Sequence, residues 1–266
     1  MKNLFLISLL IFGLFGQSQN ISIVSWNIRD MGKTKDSSEI YFMAETIKDH
    51  DIVAIQEVVT SDYGKDAVSS LVKEMNRIKN CSCWEYSLSN KTGGSGTEKY
   101  AFLYNRTEVD FIKATLVSSL DSKIVREPYV GTFSVGVDTF KIVNFHAVPE
   151  DRNPEYEITI IADIDTMTET PMIFLGDFNH PQYDVGFDSL KARGYAPSLI
   201  GVKTSLRAKR LRNGEYFSKE FDNFFYDITY FRVRESYVID LIYKFNSLSL
   251  ARRISDHCPI VIKIEF

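Results

Sequence analysis

The hydrophobic positions of this chain fall into short unbroken runs, separated by segments in which apolar residues recur every three or four positions. The run from Met172 to Leu175 is entered through Pro171 and left through Gly176, which predicts a strand buried on both faces. Asp177 and Asn179 follow at once, so this strand ends in a carboxylate and an amide two residues apart. Such a pair can hold a water or a phosphate, although Gly, Asp and Asn are also ordinary turn residues.

Similar runs predict nine further strands, and several of them begin or end with a polar side chain. They are expected at residues 21–28, 51–57, 84–88, 98–104, 130–137, 140–145, 221–226, 237–243 and 259–262. Phe224 and Phe225 lie inside one of these runs and are predicted to belong to the core. The two tryptophans, Trp26 and Trp84, also fall in strand segments.

Four segments show the spacing that is typical of an amphipathic helix. The first covers Ile40 to Ile47, and Asp36, Ser37 or Ser38 can cap its start. The others lie at residues 68–78, 158–167 and 187–192. Because strands outnumber helices and many connect as hairpins, the pattern predicts an α/β sandwich with sheets as the middle layers and helices outside. No repeat or linker divides the chain, so residues 19–266 are expected to form one domain.

The charge of the chain limits how it can bind nucleic acid. The 266 residues carry a formal net charge of −4. An acidic protein binds nucleic acid only through a local basic patch. The segment from Lys203 to Arg212 holds five basic residues and no acidic one. We interpret this segment either as a phosphate-binding loop or as a solvated basic loop.

Residues 1–18 have the features of a secretory signal. Lys2 is followed by an apolar stretch from Leu4 to Phe15 and by the small residues Gly16 and Ser18. The stretch is short for a membrane span, and no later segment is long and apolar enough to cross a membrane. The mature protein is therefore expected to be secreted or periplasmic, without membrane insertion, without a stable protein partner, and monomeric.

Three cysteines allow at most one intramolecular disulfide. Cys81 and Cys83 are separated by one residue and have no histidine nearby, so they are assigned a structural role, with a small bridge between them as one form of it. Cys258 belongs to the terminal apolar segment and is predicted to be a buried thiol.

Nine polar residues stand at the ends of the predicted strands or next to them. They are Asn27, Glu57, Glu98, His146, Asp177, Asn179, Asp222, Asp256 and His257. Each one alone has an ordinary explanation as an edge charge, a turn cap or a satisfied polar group. Together they supply ligands for a hard cation, an imidazole that can accept a proton from water and another that can donate one. The set therefore predicts an active site at the strand ends.

Several motifs resemble those of the endonuclease/exonuclease/phosphatase superfamily, in the same order and with the same wide spacing. They are Ser25-Trp26-Asn27, Gln56-Glu57, Arg126-Glu127-Pro128, Asn144-Phe145-His146, Gly176-Asp177-Phe178-Asn179 and Ser255-Asp256-His257-Cys258-Pro259. The stretches Glu98 to Tyr104 and Arg126 to Tyr129 are similar to the deoxyribonuclease I branch. The resemblance covers essentially the whole mature chain and implies a four-layer sandwich of two packed mixed β-sheets flanked by helices.

The resemblance also implies a metal site. Glu57 would bind a divalent metal with help from Asn27, and Asp256 would assist metal or phosphate binding. Mg²⁺ is the expected ion because it prefers carboxylate and water oxygens, with Mn²⁺ as an alternative. Dependence on Ca²⁺ is left open, since the calcium-binding loops of the animal enzymes have no secure counterpart in this sequence.

The same resemblance implies roles for the remaining polar residues. Asp177 and Asn179 would orient the attacking water and the phosphate. His257, paired with Asp222, would be the general base. His146, paired with Glu98, would help the leaving oxygen depart. Substrate contacts are assigned to Arg126, Asn179 and Tyr100.

The resemblance and the signal segment together imply a secreted, divalent-metal-dependent endonuclease that hydrolyses DNA and leaves 5′-phosphate ends. The alternative is a phosphodiesterase or phosphatase of the same fold that acts on a phospholipid, as sphingomyelinases do, or on a small phosphate ester. The lipid version is disfavoured because no adjacent pair of tryptophans stands on a loop. A binding protein that had lost catalysis would show gaps among the implied catalytic residues, and none is missing.

Overall fold

Two six-stranded sheets form the centre of the molecule in a computed structural model that describes residues 20–93 and 97–266. The strands are β1 Asn20–Met31, β2 Ile52–Val58, β3 Trp84–Leu88, β4 Lys99–Asn105, β5 Asp110–Leu116, β6 Tyr129–Val135, β7 Asp138–His146, β8 Met172–Asp177, β9 Tyr195–Pro197, β10 Asp222–Asp227, β11 Arg232–Val238 and β12 Ile260–Glu265. The signal segment predicted at residues 1–18 lies outside the described residues.

Both sheets are mixed, and each has a parallel pair near its centre. The first sheet has the order β11-β12-β1-β2-β4-β3, and the second has the order β5-β6-β7-β8-β10-β9. β1 and β2 run parallel in the first sheet, and β7 and β8 run parallel in the second, whereas the neighbours of these pairs are antiparallel. The carboxyl ends of the two parallel pairs meet at one edge of the sandwich.

In the described part of the chain, helices cover the outer faces of both sheets. They are α1 Ser37–Ile47, α2 Asp62–Lys79, α3 Pro154–Ile161, α4 Asp188–Ala192, α5 Leu241–Phe245 and α6 Leu248–Ile254. The Asp36 side chain accepts hydrogen bonds from the backbone of Ser38 and Glu39, and the Glu39 side chain accepts one from the Asp36 N–H. This capping box fixes the start of α1, and Asp36 is the cap among the three candidates that the sequence offered.

Successive side chains of the central strands point to opposite faces of their sheet, and this explains the four layers. In β8, Ile173 and Leu175 pack into the apolar layer between the two sheets, whereas Met172 and Phe174 pack into the layer beneath α3 and α4. All six residues of β8 are buried, which confirms the strand predicted from its unbroken apolar run. On the other side, α1 and α2 pack on the first sheet. The predicted fold class, a sandwich of two packed mixed sheets flanked by helices, is confirmed.

The strand predicted at residues 237–243 is wrong beyond Val238, where β11 ends. Asp240 accepts hydrogen bonds from the backbone N–H groups of Ile242 and Tyr243 and so caps the start of α5. In a strand these N–H groups would have to bond to an adjacent strand, whereas here the Asp240 side chain accepts them. The cap therefore favours a helix over a strand in this segment.

The helix predicted at residues 158–167 ends as an α-helix at Ile161 and continues as a 3-10 helix, which leaves Met167 55% exposed. The cysteine predictions are confirmed, because Cys81 and Cys83 form a disulfide and Cys258 is a buried thiol. Within the two described ranges, no helix has the length and apolar character needed to cross a membrane.

Candidate active site

The polar strand ends meet in one cleft of about 530 Å³. Asn27 lies in β1 and Glu57 in β2, while His146 ends β7 and Asp177 ends β8. The Asn27 amide links the two sheets, because its Nδ2 donates to Glu57 Oε1 at 2.9 Å and to Asp177 Oδ2 at 3.0 Å. His146 and Asp177 are direct partners in the pairing of β7 with β8. The central strands of both sheets therefore bring the predicted residues together.

His257 precedes β12 of the first sheet, and its carboxylate partner Asp222 begins β10 of the second. Nδ1 of His257 lies 2.8 Å from Oδ2 of Asp222, and Nε2 lies 3.4 Å from Oδ2 of Asp177. Burial opposes the charged imidazolium, but the two carboxylates outweigh it and raise the pKa of His257 to about 10. With Nδ1 held by a carboxylate, the ring can exchange a proton at Nε2.

His146 forms the second histidine–carboxylate pair, again between the two sheets. Its Nδ1 lies 2.9 Å and 3.1 Å from the carboxylate oxygens of Glu98, which precedes β4. Its Nε2 lies 3.7 Å from Asp177 Oδ2 and 3.9 Å from Glu57 Oε1. Burial opposes protonation, but the Glu98 carboxylate raises the pKa of His146, with the Arg126 guanidinium acting against it. Both histidines therefore present Nε2 to Asp177.

The turn after β8 fixes the positions of Asp177 and Asn179. Gly176 has a φ of 139°, and a Cβ there would lie 1.8 Å from the carbonyl oxygen of Phe145, so the strands approach closely only because this residue is glycine. Asp177 Oδ1 accepts a hydrogen bond from the Asn179 N–H at 2.9 Å, and Asn179 Nδ2 donates to the Ala147 carbonyl at 3.1 Å. Burial acts against ionisation of Asp177, but the two histidines lower its pKa below the usual range.

Backbone strain is concentrated at the cleft. In the described chain, six non-glycine residues have a positive φ, and three of them line the cleft: Asp30 at 52°, Glu57 at 61° and Asn179 at 50°. Such conformations cost about 1–3 kcal/mol each and persist where the surrounding structure enforces them, most often at functional sites. The strain supports the assignment of this cleft as the working site.

Two predicted roles fit the structure less well. Tyr100 is completely buried in the apolar layer between the sheets and does not line the cleft, so the predicted contact with substrate does not match its position. Its place along β4 turns the ring toward the facing sheet. Asp256 does line the cleft, but its Oδ2 lies 3.5 Å from a guanidinium nitrogen of Arg29 and of Arg252. The two arginines therefore already neutralise part of the negative charge of Asp256 that was assigned to metal binding.

Arg126 lines the cleft, as predicted for a substrate contact, and it also stiffens the cleft wall. Its guanidinium donates to the His146 carbonyl at 2.9 Å and to the Ala147 carbonyl. Arg29 is a cleft cation that the sequence reasoning missed. Its place two residues after Asn27 on the same strand is the signal that could have identified it.

The sequence reasoning also missed the role of Thr204, which is fully buried. Its Oγ1 donates to Asp222 Oδ2 at 2.5 Å and accepts the Asp222 N–H at 3.0 Å. Its neighbour Ser205 forms an isolated β-bridge with His257. The start of the basic segment therefore supports the His257 pair, and nothing in the local sequence signals this.

The rest of the basic segment is partly neutralised and lies outside the cleft lining. Lys203 forms an ion pair with Glu215. Arg210 lies 4.7 Å from the centre of the Tyr216 ring and donates to the Gly214 carbonyl at 3.2 Å. Of the two interpretations of this segment, the structure favours the solvated loop.

The cleft offers donor atoms that fit a divalent cation. The buried Oδ1 of Asn27 has no hydrogen-bond partner among the described residues, and it belongs to the amide that contacts Glu57. Ligand atoms of Asp177, Asp222 and His257 also lie within 4.8 Å of one another, a group that the sequence reasoning had not assigned to metal. An unpaired amide oxygen beside a carboxylate matches the oxygen ligands that Mg²⁺ and Mn²⁺ prefer.

This fold and cleft define a hydrolase built to act on phosphate esters. Residues 24–257 match the Endonuclease/Exonuclease/phosphatase family, and the chain belongs to that family, whose enzymes use divalent metals. It is 29% identical over 182 residues to Deoxyribonuclease-1-like 1 of Sus scrofa, an alignment that covers 64% of this chain and 56% of that protein. It is 27% identical over 191 residues to a Deoxyribonuclease of Thioalkalivibrio sp. (strain K90mix), covering 65% and 50%. The alignments span about half the length of these relatives.

Solved structures share the fold at low sequence identity. A family protein from Bacteroides vulgatus superposes with a TM-score of 0.67 at 16% identity, covering 93% of this chain and 99% of that chain. D. rerio TDP2, complexed with a single-strand DNA product, gives 0.63 at 14% identity and covers 93% and 99%. The mannosyl-6-phosphatase Bt3783 of Bacteroides thetaiotaomicron gives 0.62 at 16% and covers 92% and 100%. These similarities establish the fold and do not identify the substrate.

Proposed function

We propose that this protein is a divalent-metal-dependent endonuclease that hydrolyses DNA phosphodiester bonds and leaves 5′-phosphate ends. The observation that carries the proposal is the presence of two histidine–carboxylate pairs whose Nε2 atoms both face Asp177. Hydrolysis of an anionic diester needs a proton acceptor for water, a proton donor for the leaving oxygen and neutralised charge. The deoxyribonuclease relatives support DNA as the substrate.

In the proposed reaction, His257 activates the water. Asp222 holds Nδ1 and fixes the tautomer, so Nε2 takes the water proton as the water oxygen bonds to phosphorus. Asp177 and Asn179 orient the water and a phosphate oxygen, since the Asn179 N–H fixes the Asp177 side chain and the Ala147 carbonyl fixes that of Asn179. Attack opposite the 3′-oxygen breaks the P–O3′ bond and leaves the phosphate on the 5′ side.

His146 serves the leaving group. Glu98 holds its Nδ1 and favours the imidazolium, and the opposite nitrogen delivers a proton to the departing 3′-oxygen. Arg126, fixed by the carbonyls that follow β7, presents positive charge at the same wall of the cleft. One pair therefore accepts a proton while the other supplies one.

The cleft residues offer ligands for a divalent ion. Glu57 and Asn27 would hold the ion, with Asp256 at the rim. When bound, the ion supplies positive charge that neutralises the phosphate and offsets the carboxylate charge that raises the pKa of His257. Mg²⁺ is our proposed ion, with Mn²⁺ as the alternative.

Supercoiled plasmid tests the proposal directly. We expect nicked and linear products with Mg²⁺, and neither product with EDTA or with His146→Ala. His50→Ala is a matched control, because His50 is a half-buried histidine outside the cleft. End-labelling of the products identifies the side that keeps the phosphate.

An intact plasmid would contradict the endonuclease assignment. Turnover of sphingomyelin or of a sugar phosphate by the same preparation would then favour the alternative activity on a phospholipid or a small phosphate ester. Inactivity on all of these substrates would favour a binding protein that has lost catalysis.

We further propose that residues 1–18 direct export to the periplasm or the medium, and that the exported protein is a monomer without a stable partner. Mass spectrometry of the protein recovered outside the cytoplasm should show a new N-terminus near residue 19. Recovery of the full-length chain in the cytoplasm would contradict export. Light scattering of the purified chain measures the oligomeric state.

A further inference from the structure

A second cavity adjoins the catalytic cleft. It has a volume of about 360 Å³, and its lining includes Lys123, Val125, Val148, Arg152 and Tyr156. We call it the flanking groove. Arg126 and Pro149, the residues that directly follow Val125 and Val148, line the catalytic cleft. Consecutive Cα atoms are about 3.8 Å apart. The groove and the cleft are therefore separated only by a ridge made of two chain segments, residues 125–126 and 148–149.

The ridge between the two cavities is held rigidly by Glu157 of α3. The Glu157 side chain is buried, and its carboxylate oxygens accept the N–H of Val125 at 2.7 Å and that of Val148 at 2.8 Å. Arg126 adds hydrogen bonds to the carbonyls of His146 and Ala147 on the cleft side. The Glu157 carboxylate is thus turned toward the backbone of the ridge, and its charge is taken up by two donors.

The free charge of the flanking groove is positive. Lys123 and Arg152 are exposed, and neither side chain makes a hydrogen bond or an ion pair with the described residues. Many other exposed cations of the molecule are paired, as Lys219 is with Glu150 and Arg193 with Asp163. Two unpaired cations beside a cleft that cuts phosphodiesters are available for further phosphates of the same strand.

Tyr156 adds an aromatic surface to the same groove. Its side chain is 56% exposed, and it stands on the first turn of α3, next to the buried Glu157 that anchors the helix to the ridge. Exposed aromatic rings in basic grooves stack on nucleobases with little dependence on sequence. The groove therefore combines cations for the phosphates with a ring for a base.

We infer that the flanking groove is a subsite for the DNA strand beyond the scissile phosphate, with Lys123 and Arg152 binding phosphates and Tyr156 stacking on a base. The inference rests on the proposed function. It assigns the binding of the DNA strand to the positive side chains of this groove and not to the basic segment from Lys203 to Arg212. The strand passes over the ridge at Arg126 and Pro149, from the groove into the cleft.

The test compares four variants with the wild type in binding to a fluorescein-labelled 20-nucleotide DNA, measured by anisotropy with EDTA present. Lys123→Gln combined with Arg152→Gln should weaken binding and lower the slope of log K against log salt by about 1 for each lost phosphate contact. Tyr156→Ala should weaken binding about tenfold, whereas Tyr156→Phe should keep wild-type affinity. Lys113→Gln combined with Arg232→Gln removes two cations from edge strands outside both cavities and is the matched control.

Cleavage assays with Mg²⁺ give a second readout. In the groove variants, KM should rise for the 20-nucleotide substrate and much less for a dinucleotide, which is too short to reach across the ridge. Unchanged salt slope and KM in the groove double variant would overturn the inference, and so would an equal loss in the edge-strand control. A wild-type protein that neither binds nor cuts DNA would overturn the proposed function itself.

Discussion

The two histidine–carboxylate pairs are built from opposite combinations of the two sheets. His257 adjoins the first sheet and takes its carboxylate, Asp222, from the second, whereas His146 ends a strand of the second sheet and takes Glu98, which precedes β4, from the first. Each pair exists only when the sheets are packed face to face. The site is therefore a property of the packed sandwich and not of either sheet alone.

The two pairs differ in the charged groups that surround each histidine. Burial opposes protonation of His257, but the Asp222 and Asp177 carboxylates outweigh it and raise its pKa to about 10. Asp222 in turn accepts a hydrogen bond from Thr204. At His146, Arg126 lies 3.7 Å from Glu98 and opposes the rise in pKa. The pKa of the histidine in each pair can therefore be set separately by the groups that contact its carboxylate partner. Substitutions can test this difference.

Removal of either imidazole should have the largest effect. We expect His257→Ala to lower kcat for DNA cleavage by about 10³-fold and His146→Ala to lower it by about 10²-fold, because proton transfer by a positioned side chain contributes about 10²–10⁴-fold. Steady-state assays on a labelled duplex measure both losses. Full activity in either variant would remove that histidine from the reaction.

Neutralising the carboxylates should have the next largest effect and should separate the pairs. Asp222→Asn should lower the pKa of His257 from about 10, because the charge that holds the proton is lost, and kcat should fall about 100-fold. Glu98→Gln should lower the pKa of His146 and reduce kcat about tenfold. NMR titration of the ring protons gives each pKa. If the pKa of His257 is unchanged in Asp222→Asn, the assigned effect of Asp222 on His257 is wrong.

Thr204→Val should act through Asp222 without touching substrate. The isosteric change removes the hydroxyl that donates to Asp222 and leaves the Asp222 N–H without an acceptor, so we expect kcat to fall about tenfold with KM unchanged. Thr204→Ser keeps the hydroxyl and should retain activity. A rise in KM instead, or no rescue by serine, would argue against a positioning role.

The smallest effect concerns stability and pH. The folded pKa of His257, about 10, exceeds its ordinary value of 6.5, so protonation of His257 stabilises the fold fully below about pH 6.5. This stabilisation declines as the pH rises and is lost once the pH passes about 10. Urea unfolding of the wild type and of His257→Gln should therefore differ most at low pH and converge above pH 10. A difference that does not change with pH would contradict the assigned protonation.

Much of the site could be predicted because its residues stand at the ends of recognisable strands. Asp177 and Asn179 follow an unbroken apolar run, and Glu57 ends another, so their places in the cleft follow from strand direction. Tyr100 was assigned a substrate contact from the family resemblance, and its buried position does not match that role. Glu98 precedes the strand and reaches the cleft, whereas Tyr100 is inside the strand and packs in the core.

The sequence by itself determined the strands and helices with strong apolar patterns, the α/β sandwich with helices outside and the polar residues available at the strand ends. These features depend on periodicity and on local turn and capping chemistry. It did not determine the role of Thr204, the pairing of Asp256 with Arg29 or the flanking groove. Those features join residues that are distant along the chain, as Lys123 and Arg152 are, and only the packing of the sheets and loops decides which distant side chains meet.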